Sequence, residues 1–109
     1  MSEGTFVTVA QLQDIPQGKT LVVNHLDAEV LLCHTREGLF AVANLCSHAA
    51  ERLCGGKLKG HRILCPLHGA AFDVRDGSAL SRPAIRPIAT YAVRVEEGAV
   101  LLGAVSEPD

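Results

Sequence analysis

The sequence predicts a small all-β domain, an antiparallel sandwich or barrel with one ligand-bearing segment inserted into it. Three observations lead there. Apolar and β-branched residues come in strand-sized runs, such as Val30-Leu31-Leu32-Cys33 and Ala99 to Leu102, separated by turn formers. No stretch keeps a helical period for long. Residues 44–87 combine turn formers with two mixed Cys/His pairs.

In chain order, Phe6-Val7-Thr8-Val9 reads as a first strand, and Val9-Ala10-Gln11-Leu12 can open a helical turn. Ile15-Pro16-Gln17-Gly18-Lys19 reads as a turn. Short strands are then expected at Leu21-Val22-Val23, Glu29 to His34 and Leu39 to Ala43, the last two joined by a hairpin turn at Arg36-Glu37-Gly38. Inside the inserted segment, Arg62-Ile63-Leu64 and Ala71 to Val74 read as short strands, and Asp76-Gly77-Ser78 as a tight turn. Tyr91 to Val95 and Ala99 to Leu102 form a closing hairpin through Glu96-Glu97-Gly98. There are no internal repeats. The 109 residues make one domain, 1–109, with an inserted ligand-bearing subdomain at about 44–87.

The inserted segment holds Cys46-Ser47-His48 and Cys65-Pro66-Leu67-His68 on either side of a glycine-rich stretch. Each pair joins one thiolate to one imidazole on a tight turn, so neighbouring side chains can point the same way. The set Cys46, His48, Cys65 and His68 suits a [2Fe–2S] cluster in which one iron takes both thiolates and the other both imidazoles. Neutral imidazoles lower the charge of such a site, which makes adding an electron easier. A structural zinc site in a small binding module is the alternative. Zinc fingers, however, usually keep the cysteines in one knuckle and the histidines in the other, whereas here each knuckle is mixed.

Of the remaining cysteines, Cys33 reads as a small hydrophobe in a buried strand. Cys54, before Gly55-Gly56, reads as a loop thiol packed beneath the cluster segment. His25, His34 and His61 are expected to face solvent without a metal role. Gly55-Gly56-Lys57-Leu58-Lys59-Gly60 faintly suggests a phosphate loop, but His61 follows where a lysine should, so that idea fails. Arg52, Lys57, Lys59 and Arg62 outnumber Glu51 nearby, as a solvated loop or a docking patch would.

Cys-Ser-His followed by Cys-Pro-Leu-His-Gly-Ala-Ala-Phe-Asp-Val resembles the cluster loops of Rieske ferredoxins that serve bacterial aromatic-ring-hydroxylating dioxygenases. The similarity is specific over Asn44 to Pro87 and weaker over the rest. It implies the Rieske iron–sulfur fold, with Cys46, His48, Cys65 and His68 as cluster ligands. It also implies that Ser81-Arg82-Pro83-Ala84 is the proline-bearing loop that covers the cluster. Rieske proteins of respiratory bc-type complexes differ: Ala50 and Leu67 stand where those have a disulfide pair. Ala70 and Phe72 stand where they have a serine and a tyrosine. Each lost hydroxyl leaves more negative charge on sulfur, which places the expected potential at the low end of the Rieske range.

Composition bounds the function. With 48% hydrophobic and 20% charged residues and a net charge of −2, the chain reads as an ordinary globular protein with no call for nucleic acid or anionic membrane. Its apolar runs are strand-sized, and Met1 to Thr5 do not read as a leader, so a cytoplasmic monomer is expected. No G-x-G-x-x-G follows a strand, so electrons should arrive from a separate flavoprotein reductase using NAD(P)H. A catalytic oxygenase subunit would need a second iron on a 2-His-1-carboxylate set, and the chain is too short to supply one. An electron carrier to a terminal oxygenase is therefore expected, with a small subunit of another redox enzyme, such as a nitrite reductase, as the alternative. His48 and His68 are expected at the tip. Ala49, Ala50, Pro66, Leu67 and Pro83 would surround them as an apolar docking face, with Glu51 and Arg52 at its edge.

Overall fold

In the computed structural model, two antiparallel sheets share one wall of apolar residues. The structure describes residues 5–46, 52–66, 70–80 and 86–107. Nine strands run in chain order: β1 Val7–Gln11, β2 Thr20–His25, β3 Ala28–Thr35, β4 Gly38–Ala43, β5 Leu58–Lys59, β6 Arg62–Leu64, β7 Ala71–Asp73, β8 Thr90–Glu96 and β9 Ala99–Ser106. Six of them form one sheet in the order β1-β9-β8-β4-β3-β2, and β5-β6-β7 form a smaller one. The end strands β1 and β2 approach each other, so the large sheet curls toward a barrel.

Strand β3 explains how the halves meet. Its apolar run does not alternate with polar residues, because both of its faces are buried. Val30 and Leu32 turn into the barrel with Ile15, Ala41, Val100 and Leu102. Leu31 and Cys33 turn to the opposite face, where they pack with Val42 of β4 and with Leu53, Ile63, Phe72 and Val74 from residues 44–87. This second core is where the two candidate ligand cysteines arrive.

The turns account for the differences from the expected strand limits. β2 and β3 are longer than the sequence suggested because Leu26 and Asp27 adopt φ of 53° and 61°, closing a two-residue hairpin without glycine. The helical turn is a single 3-10 turn at Leu12–Asp14, later than expected, since Ala10 and Gln11 stay paired with β9. Strand β5 was not anticipated; its two residues pair with β6, and Leu58 packs against the core.

Two histidine expectations are overturned. His25 is buried, and its Nε2–H donates to the Gly103 carbonyl at 2.8 Å. His34 is half-buried, and its Nδ1–H donates to the Ile15 carbonyl at 2.6 Å. Both rings tie the barrel's ends together, which pattern alone could not reveal. His61 is partly exposed, 3.7 Å from Asp73.

Candidate metal centre

Two loops lead to the centre, and each continues a strand. The first leaves β4 through Asn44, and Cys46 follows at once with 2% exposure. The second is the connection between β6 and β7. There the Cys65 N–H donates to the Ala70 carbonyl at 2.6 Å, extending the ladder that pairs Leu64 with Ala71. Cys65 is 3% exposed. Both cysteines belong to the same buried core, beside Leu53, Ile63, Ala70 and Phe72, and neither is in a disulfide.

That environment fits a thiolate-bound cluster. Two buried thiols delivered after separate strands into one apolar core are what two shared sulfur ligands need. His48 and His68 lie outside the described residues, as do Ala49, Ala50, Glu51, Leu67 and the loop Ser81-Arg82-Pro83-Ala84.

The other two cysteines have different fates. Cys33 is fully buried on β3, and burial pushes its thiol up to about 12 from the ordinary 9.0. Cys54 is exposed, which corrects the expectation of a thiol packed beneath the cluster segment. The turn at Leu53 to Gly56, closed by Gly56 N–H to Leu53 carbonyl at 2.9 Å, buries leucine and leaves the cysteine outside. An alkaline consequence follows for Cys33. Its neutral form is favoured in the folded state, so its contribution is intact below pH 9 and is lost as pH rises toward about 12. Stability to urea should fall across that window, and Cys33→Ala should flatten the fall; equal slopes in both proteins would refute the assignment.

A polar clamp fixes the small sheet. Arg75 donates to both Asp73 oxygens, from Nε at 3.0 Å and Nη2 at 2.8 Å. This hydrogen bonding holds the Asp73 carboxyl below the usual carboxylate range, against the opposing effect of burial. Arg75 Nη1 also reaches Glu37 Oε1, 3.6 Å away on the β3–β4 turn, linking the small sheet to the barrel.

The basic residues divide. Arg52 pairs with Glu29 at 2.9 Å, so its charge is largely answered. Lys57, Lys59 and Arg62 are exposed. Sequence reasoning missed two apolar residues at the edges of the described loops, Leu45 at 51% exposure and Leu80 at 43%. Leu45 directly precedes Cys46, and its place beside a candidate ligand was the available signal.

Comparison with known proteins points one way. The family model described as the Rieske [2Fe-2S] domain matches residues 5–92. The ferredoxin component of naphthalene 1,2-dioxygenase/salicylate 5-hydroxylase systems from a Ralstonia species is 39% identical over 97 residues, covering 89% of this chain and 93% of that protein. The ferredoxin of carbazole 1,9a-dioxygenase from Nocardioides aromaticivorans IC177 superposes with a TM-score of 0.87 at 31% identity, covering 97% of this chain and 100% of its own. A complex of reduced oxygenase and oxidized ferredoxin in carbazole 1,9a-dioxygenase contains a chain that matches with a TM-score of 0.85 at 30% identity, covering 95% of both.

Proposed function

The chain belongs to the Rieske [2Fe–2S] domain family, and on that premise we propose that it is the ferredoxin component of a bacterial aromatic-ring-hydroxylating dioxygenase system. It carries electrons one at a time to the terminal oxygenase and transforms no substrate itself. The observation behind this reading is the convergence of buried Cys46 and Cys65 in one core, within a chain that aligns along most of its length with such ferredoxins. Relatives of that kind favour the carrier over a subunit of a nitrite reductase.

Cys46 and Cys65 would hold one iron, and His48 and His68 the other, all within a cluster-bearing subdomain at residues 44–87. A [2Fe–2S] cluster bound there supplies reversible one-electron chemistry. The chain's own task is to hold the thiolates away from water, which Leu53, Ile63 and Phe72 do by closing the core around them. Ala70 and Phe72 are both fully buried and present no hydroxyl to sulfur. Exposed Leu45, Pro66 and Leu80 border the ligand loops and shed water easily, as a short-lived electron-transfer contact requires. A flavin-dependent NAD(P)H reductase is the proposed electron source, and a cytoplasmic monomer the proposed form. Among the described residues no helix is long and apolar enough to cross a membrane.

The test is reconstitution with the reductase and terminal oxygenase of a naphthalene-type system. Product formation from NAD(P)H should depend on this protein, and its midpoint should lie near the lower edge of the Rieske window, roughly −150 mV. Ala70→Ser should raise that value. Transfer to a sirohaem reductase but not to the oxygenase would defeat the proposal.

A further inference from the structure

One carboxylate touches both ends of the first ligand-bearing segment. Glu29 and Asn44 continue the β3–β4 ladder one pair beyond Val30 and Ala43, with the Asn44 N–H donating to the Glu29 carbonyl at 3.1 Å. The side chains repeat the pairing, as Asn44 Nδ2 donates to Glu29 Oε1 at 3.2 Å. From the far end of the segment, Arg52 Nη2 donates to Glu29 Oε2 at 2.9 Å. Asn44 stands two residues before Cys46 and is 4% exposed. Arg52 immediately precedes Leu53, which is fully buried in the core that holds Cys46 and Cys65.

We propose that Glu29 is a positioning residue that braces residues 44–52, and so sets the placement of Cys46, without itself touching the cluster. The inference rests on the reading of Cys46 as a ligand. An isolated surface ion pair would accomplish little, because solvent screens it and both side chains must be ordered. Here the two oxygens of one carboxylate accept from Asn44, where the chain leaves β4, and from Arg52, where it re-enters the core at Leu53, which restricts the conformations open to the segment between them. Glu29 also dictates the Asn44 amide's orientation. Only the NH2 can face a carboxylate, so Oδ1 is turned inward, and it is the buried side-chain polar atom without a partner among the described residues.

The brace makes a distinctive demand on its chemistry. In Glu29→Gln the new NH2 faces a donor, either Asn44 or Arg52, so one of the two bonds is lost. Adding Asn44→Asp restores both, since the new amide donates to the new carboxylate while its oxygen still accepts from Arg52. Iron release from the holoprotein to a chelator, followed by loss of visible absorbance, reads the effect. Glu29→Gln should release iron about tenfold faster than wild type, as loss of a charge-assisted bond implies. Arg52→Ala, at an exposed side chain, should give about a threefold increase. The double variant should return to within about twofold of wild type. Wild-type rates in Glu29→Gln, or a double variant as fast as the single, overturn the brace. Wild-type protein that purifies without iron and labile sulfide overturns the ligand reading beneath it, so the two failures are told apart by iron analysis.

Discussion

Cys65→Ala is expected to give a colourless protein without iron or acid-labile sulfide. Cys65 is 3% exposed and hydrogen-bonded through its backbone into the β6–β7 ladder, which fixes its thiol in the core, whereas Cys54 is exposed and Cys33 is held within the paired strand β3. Ligand bonds to a metal centre are also folding energy for the loops that supply them. The variant should therefore lose thermal stability along with colour, while far-ultraviolet circular dichroism retains the barrel's strand signal. His48→Ala and His68→Ala should lose or convert the cluster too. His61→Ala, whose ring is 3.7 Å from Asp73 at the edge of the small sheet, should keep it. Full iron and sulfide content in Cys65→Ala would remove this residue from the ligand set.

Gly56→Ala should strongly destabilise the cluster segment. A Cβ there would overlap the Leu64 carbonyl oxygen and lie 2.8 Å from its carbon, with the Leu53 carbonyl oxygen at 3.3 Å. These are backbone atoms on β6 and on the turn that closes against it, so no flexible side chain can yield. Relief would require moving β6, which leads directly into Cys65. A loss of more than about 3 kcal/mol is expected from this kind of overpacking, measured by urea unfolding, with cluster content falling in parallel. The adjacent Gly55→Ala provides the control. Its Cβ would meet only the Pro66 ring, at an ordinary 3.6 Å, and its stability should stay within about 0.5 kcal/mol of wild type. Equal behaviour of the two glycine variants would show that Leu64 gives way more easily than its ladder implies.

Much of the fold was legible because its signals are local. Strand runs and turn formers follow from side-chain shape and φ preference, and the hairpins at Arg36-Glu37-Gly38 and Glu96-Glu97-Gly98 appear where the sequence places them. The Leu26-Asp27 turn escaped notice because it has no glycine and Leu26 seldom adopts positive φ, which the pairing of β2 with β3 imposes here. His25 and His34 were misjudged for a related reason. Their acceptors are carbonyls at Gly103 and Ile15, remote or unrelated in sequence pattern, and burial of an imidazole depends on whether such a partner arrives.

The sequence by itself determined which donors are on offer, since thiolates and imidazoles in two mixed knuckles are a property of residue type and spacing. It also determined the family, through residues 44–87 above all. What only the tertiary structure decided is which residues serve that chemistry without being part of it. Cys54 faces water while Leu53 fills the core, Gly56 lies beneath Leu64, and Glu29 reaches from β3 to both ends of a loop that follows β4. Each of these depends on contacts between segments far apart in the chain. Such contacts leave no local periodicity or motif, because burial and hydrogen-bond partnership are settled only when the sheets pack.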